Sequence, residues 1–307
     1  MTFAQIFYLS KQLLNWLLFL ILCLIWGSSF MLMKWGMYDA NQQPVLSPFD
    51  VAALRILSSG LVMLPFLPAA LRKMPKGSWK AVLLSGWLGS FFPAFLFTIA
   101  ETKIDGALAG SLNALTPLFV IITGALFFQV KTNQQKLMGV LVGFGGCMLL
   151  TYANTNRSLG YVAYTGFVLL ATLFYGINVN MVQQKLRNVG SLHIAAVAFT
   201  GLIPPSLIVL FFSGYFNLPL TEEKYILGTS ASAVLGVLGT AIASILFYML
   251  VKRAGGLFAS LVTYGVPFVA IGWGLYYNEQ ITLMHVAALV VILAGVYIAN
   301  KTPKYKA

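Results

Sequence analysis

Residues 106–132 and 256–282 are two copies of one segment, 150 positions apart and aligned without a gap. Gly106 falls on Gly256, Ala109 on Ala259, Pro117 on Pro267, Gly124 on Gly274 and Thr132 on Thr282. Each copy is a long apolar run with a proline inside it and small residues ahead of the proline. The match extends upstream, where Gly86, Leu88, Gly89, Leu96 and Phe97 fall on Gly236, Leu238, Gly239, Leu246 and Phe247. Downstream, Val140 and Gly145 fall on Val290 and Gly295. Near the start, Trp26-Gly27 is echoed by Tyr175-Gly176 at an offset of 149. Such a chain folds as two copies of one unit.

The medium follows from composition. Of 307 residues, 59% are hydrophobic and 8% charged, with a mean hydropathy of +0.86. Soluble domains carry about a quarter charged residues, so this chain reads as an all-α polytopic membrane protein. Cys23 and Cys147 sit in apolar runs without a CxxC pair, which implies neither a disulfide nor a metal site. The first apolar run is longer than a signal-peptide core and lacks a clear small-residue cleavage site, so it reads as a mature span.

A bilayer core of about 30 Å needs about 20 apolar residues per helix. That rule predicts ten spans: 16–35, 49–71, 79–100, 107–128, 137–152, 161–181, 193–212, 225–251, 257–277 and 282–299. With the N-terminus in the cytoplasm, the inside loops and tails hold 14 of the 19 basic residues. These are Lys11, Arg72, Lys73, Lys76, Lys80, Lys131, Lys136, Lys185, Arg187, Lys252, Arg253, Lys301, Lys304 and Lys306. Asp39, Asp50, Glu101, Asp105, Glu222, Glu223 and Glu279 fall at outer loops or outer helix ends. Lysine and arginine set orientation, so the net charge of +12 reads as topology, with cytoplasmic termini, and not as a nucleic-acid surface. Each half, 15–152 and 160–300, then holds five spans. Five is odd, so the second half enters the membrane inverted. Inverted repeats place a site near the midplane between the halves.

Candidate site residues cluster at that depth. Asn113, Thr116 and Pro117 lie mid-way along the fourth span, with Thr263, Tyr264 and Pro267 at the matching depth of the ninth. Proline removes a backbone donor and frees a carbonyl, and freed groups in lipid must face protein or a cavity. Two readings fit: a wetted pathway, or kinked helices whose polar groups bond to neighbours. In the sixth span Tyr175 and Asn178 share a face, while Asn180 points elsewhere, toward an interhelical bond. Ser28 follows Trp26-Gly27 in the first span. Together Trp26, Ser28, Asn113, Tyr175, Asn178 and Tyr264 are expected around one aromatic and polar cavity, suited to a small solute with a polar head and an apolar side chain.

Arg55 lies roughly 9 Å below the outer boundary at 1.5 Å per residue. An arginine at a helix centre costs about 2.5–3.5 kcal/mol on insertion scales. Glu101 and Asp105 are its candidate partners, and Lys34 sits near its level. A positive pathway that attracts a carboxylate and a snorkelling structural ion pair both fit. Gly139 and Gly143 form a GxxxG, most simply for close helix packing. A homodimer through glycine-bearing faces is sterically open, with no residue pattern that requires it.

LIWGSSFMLMKWG in the first span resembles the opening signature of EamA-type members of the drug/metabolite transporter superfamily. ALRILSSG around Arg55, ALAGSLNALTPLFV in the fourth span and YYNEQITLMHVAALVVILAGVYI at the end of the second half are similar to their second, fourth and final helices. The likeness runs from about Trp16 to Ala299. It departs at Gln129, where the family often has a Glu, kept here as Glu279; the expected effect is on capping or orientation. The resemblance implies export of small metabolites, commonly amino acids, through a central cavity in the inner membrane. It implies neither a cofactor nor an enzyme, and no Walker-type phosphate loop is present. Efflux of another small organic solute, drug-like or nucleoside-like, and a non-transporting sensor are the alternatives.

Overall fold

A computed structural model gives the fold over residues 3–104, 106–153, 162–276 and 282–301, the residues described below. Among them the regular structure is helical throughout, apart from a single bridge between Tyr38 and Pro44. Six helical stretches are long and apolar enough to cross a bilayer: Gln12–Met37, Pro48–Lys73, Trp79–Glu101, Ala163–Gln184, Ser191–Phe212 and Glu223–Ala254. They coincide with the first three spans of each sequence half.

The first span is α1 (Phe3–Met37). The second is α2 (Pro48–Met63) continued by α3 (Leu67–Lys73). α2 starts where it does because Ser47 and Asp50 form a capping box, with Pro48 in the first turn, where its missing N–H costs nothing. The third span is α4 (Trp79–Gly86), a π-helical turn (Trp87–Phe91) and α5 (Phe92–Glu101).

The duplicated segments depart from the expected single helices. The first is broken into α6 (Gly106–Asn113) and α7 (Thr116–Phe128). Pro117 stands in the first turn of α7, and so does not interrupt a helix interior. α7 ends at Gln129, which takes the left-handed conformation at φ 55° and returns its N–H to Gly124, so the residue that departs from the family pattern is a helix cap. Glu279, Asp105 and Arg157 lie outside the described residues. α8 (Gln134–Ala153) follows, starting nearer Asn133 than the apolar run alone indicates.

The second half has α9 (Val162–Gln184), α10 (Ser191–Gly201), α11 (Ile203–Phe212) and α12 (Glu223–Val234). A second π-helical segment (Leu235–Ile242) leads into α13 (Ala243–Ala254). The second duplicated copy is broken too, into α14 (Gly256–Ser260) and α15 (Val262–Tyr276), with Pro267 inside α15. α16 (Leu283–Asn300) closes the chain.

The packing crosses between halves. α1 lies on α15, and α9 lies on α7; α2 lies on α12 and the second π-segment, and α10 lies on α3 and α4. α8 pairs with α16. Glycine sets the closest approaches. A Cβ on Gly295 would lie 2.3 Å from the backbone nitrogen of Gly143, and one on Gly139 would lie 2.3 Å from that of Ala299. The GxxxG face is thus filled by α16 of the same chain and is not free for a second copy. Large apolar side chains such as Leu24, Leu126, Phe127, Phe211 and Phe212 point outward, where a bilayer would cover them.

Gly295→Val is expected to force α8 and α16 apart and lower the melting temperature of the detergent-solubilised protein by several degrees. Gly145→Ala, with nothing within 4 Å of the added methyl, is expected to leave it unchanged.

Candidate functional site

The crossed packing encloses a cavity at the centre of the bundle. Its lining includes Trp26, Arg55, Asn113, Thr116, Tyr175, Asn178 and Thr263, all of which the sequence singles out. The open space at its centre is about 80 Å³, below the roughly 300–1,000 Å³ of sites that hold drug-sized ligands.

Two helix breaks supply part of the wall, and both solve the same backbone problem. The carbonyls that end α6 and α14 have no partner further along their helices. Thr116 Oγ1 donates to the Asn113 carbonyl at 2.7 Å and to its side-chain Oδ1 at 3.1 Å. Thr263 Oγ1 donates to the Ser260 carbonyl at 2.9 Å. The device is shared but its position is not. The first break falls at 113–116 and the second at 260–262, beginning three residues earlier than the 150-residue offset would place it.

The π-helical turns supply another part. They carry Gly89 and Ser90 in one half and Gly239 and Thr240 in the other, at the same offset of 150. A π-turn displaces the helical hydrogen-bond ladder and recurs at functional sites. Each is held by residues of the opposite half. Trp26 Nε1 donates to the Gly239 carbonyl at 3.1 Å, and Arg55 Nε donates to Thr240 Oγ1 at 2.6 Å. On the other side, the Asn178 amide lies against Gly89, with Nδ2 2.2 Å from where a Cβ would stand. Asn178 Oδ1 accepts from Ser85 Oγ at 2.6 Å, and that hydroxyl lies 3.3 Å from Tyr248 Oη.

Three pairs of contacts repeat with the halves exchanged. Trp26 packs on Phe247 at 5.1 Å between ring centroids, and Tyr175 on Phe97 at 6.2 Å. Gly27 lets Val269 approach, its missing Cβ standing 2.5 Å from the valine Cβ, and Gly176 does the same for Phe119 at 2.9 Å. Gly239 faces Ser29 as Gly89 faces Asn178.

Arg55 is the one charged side chain among the described cavity-lining residues. Beyond its bond to Thr240, Nη1 lies 4.0 Å from Met33 Sδ. Tyr175 lines the same cavity, and Glu101 is buried. Asp50 is committed elsewhere, accepting from Ser47 Oγ at 2.7 Å and from Ser213 Oγ at 2.5 Å.

Three expected residues stand away from the cavity. Tyr264 is fully buried and donates to the Val140 carbonyl at 2.7 Å, pinning α15 to α8 across Gly143. Ser28 accepts from Trp273 Nε1 at 2.9 Å. Lys34 is exposed at the end of α1. Pro117 and Pro267 set helix geometry and do not line the space. Asn180 makes the interhelical bonds expected of it, donating to the Val120 carbonyl at 2.8 Å and to Thr123 Oγ1 at 3.0 Å. Sequence reading put Ser28 in the lining where the structure has its neighbour Ser29, and missed Ser90, Thr240, Ser244, Ser260 and Tyr248. The available signal was the pairing of Ser90 with Thr240, each directly after a duplicated glycine.

The profile of the EamA-like transporter family matches residues 14–152 and, a second time, residues 164–301. The uncharacterized transporter YoaV of Bacillus subtilis is 22% identical over 285 residues, 91% of this chain and 94% of that protein. The uncharacterized inner membrane transporter YedA of Escherichia coli K12 is 22% identical over 91% of this chain and 88% of its own length. The chloroplastic WAT1-related protein At3g02690 of Arabidopsis thaliana is 23% identical over 94% of this chain and 69% of its own length. A protein of known crystal structure superposes on 95% of this chain and 96% of its own with a TM-score of 0.67 at 17% identity, which shows a common fold. This chain belongs to the EamA-like transporter family and is a multi-pass membrane transporter, not an enzyme.

Gly89→Ala is expected to lower stability, because the Asn178 amide it strikes is held by Ser85 and cannot swing away. Asn178→Ala should relieve the clash, so the double variant loses less than the two single losses combined. Their coupling, read from melting curves, is expected to be about 1 kcal/mol.

Proposed function

We propose that this transporter exports amino acids or related small carboxylates across the inner membrane by alternating access. The observation that carries this reading is the central cavity, where Arg55 is the one charged group among the described lining residues, amid hydroxyls, amides and aromatic rings. An arginine with Nε engaged keeps its Nη donors for a planar carboxylate. Trp26, Phe30, Phe97, Tyr175 and Phe247 offer apolar faces to the rest of such a solute. A cationic drug-like solute meets the wrong charge here.

The architecture proposed for this cycle is ten spans in two inverted five-helix repeats, residues 15–152 and 160–300, with both termini cytoplasmic. Its support is the double profile match, the contact pairs that recur with halves exchanged, and the crossed packing of α1 on α15 and α9 on α7. Because the cavity is narrow, a solute of amino-acid size enters only as its walls part. The π-turns and helix breaks are the places where the ladder is already interrupted and bending costs least. Trp26, Arg55, Asn113, Thr116, Tyr175, Asn178 and Thr263 are the residues assigned to contact the solute.

The test is counterflow in proteoliposomes with a panel of labelled amino acids and small carboxylates. Exchange of at least one carboxylate solute is expected. Arg55→Gln should lower it at least tenfold and Arg55→Lys partly restore it. Undiminished flux in a folded Arg55→Gln protein would refute the assignment of Arg55.

A further inference from the structure

A second, larger cavity of about 670 Å³ opens at the end of the bundle where α1 begins and α16 ends. It is unlike the central one. Four cationic residues line it from four separate segments: Lys131 between α7 and α8, Lys136 in α8, Arg253 in α13 and Lys301 beyond α16. Among the described lining residues there is no aspartate or glutamate. Its remaining wall is largely apolar, with Trp16, Leu257 and Phe258.

Basic residues that only orient a membrane protein need face nothing but solvent. These converge on one concavity, where like charges without a counter-charge repel one another. Arg253 is also held in place, its Nε donating to Asn15 Oδ1 at 3.0 Å. The floor is thin. Val120, Asn180 and Leu261 face this cavity, while their near neighbours Thr116, Val179 and Ser260 face the central one. The volume lies in the range of sites that enclose a small organic ligand.

We propose that this vestibule is a binding site in its own right for soluble amphipathic organic anions, with the oxyanion among the four cations and the apolar body against Trp16 and Phe258. It collects such solutes one side-chain layer from the central cavity. This binding does not depend on the transport assignment above.

Trp16, 43% exposed in the cavity wall, is the reporter. The full-length protein in nanodiscs of neutral phosphatidylcholine is titrated with benzoate, with its neutral isostere benzamide, and with short-chain phosphatidylglycerol. The signal is the tryptophan fluorescence change that disappears in Trp16→Phe. Saturable quenching by benzoate is expected, absent with benzamide and weakened by salt in the unmodified protein. Lys136→Gln with Arg253→Gln should weaken it roughly tenfold, about 1.4 kcal/mol. Lys136→Arg should retain it, which separates charge from misfolding. In an Arg55→Gln background the signal should persist, so it belongs to the vestibule and its failure is distinct from failure of transport. No saturable Trp16 response, equal affinity for benzamide, or a response to phosphatidylglycerol alone would each overturn the proposal.

Discussion

In hydrocarbon an unpartnered backbone group costs several kcal/mol, so a spanning helix is interrupted only where something else takes over its hydrogen bonds. Four interruptions meet at the centre of this protein. The two helix breaks are served by their own threonines, three residues on. The second π-segment is served from across the molecule, its Gly239 carbonyl by the indole of Trp26, while the guanidinium of Arg55 holds the Thr240 hydroxyl. Some of these repairs stay within their own segment and others reach across a gap between halves, and a gap lined by such groups is polar.

This arrangement explains why glycine and large side chains alternate so sharply here. Gly27, Gly89, Gly176 and Gly239 each mark a place where the other half leans in. Each approach trades a side chain for proximity: Gly89 and Gly239 admit the polar Asn178 and Ser29, while Gly27 and Gly176 admit Val269 and Phe119. The glycine contacts of α8 with α16 do a different task, joining two helices that stand beside the cavity without lining it.

Much of this was legible in the residues. The edges of the six long spans followed from apolar runs, and the family from the ordered signatures around Trp26, Arg55 and Pro117. Arg55, Asn178 and Asn113 stood out because polar groups are costly in lipid. Serine and threonine did not stand out, since a hydroxyl can return its hydrogen bond to its own helix and then looks like packing. Ser29 does this with the Ile25 carbonyl and still borders the cavity. Tyr264 failed in the opposite sense. Its depth matched the site, but rotation about the helix turned it toward α8, and a broken segment leaves that rotation undetermined by sequence spacing. The two prolines part company: both were expected inside a span, and Pro267 does stand inside α15, whereas Pro117 opens α7.

The three-residue slip between the two helix breaks has a consequence for turnover. Two halves that were perfect images of each other would present the same site to either side of the membrane, and the forward and reverse journeys would share one rate law. Here one break ends in an asparagine whose amide faces the space and the other in a serine, roughly one helical turn out of register. In the proposed alternating-access cycle such a slip would make the passage lopsided, with half-saturation differing between its two entrances. For a passive carrier, detailed balance then ties the maximal rates to the same ratio, so the slip sets how the protein responds to concentration on each side without moving the equilibrium it approaches.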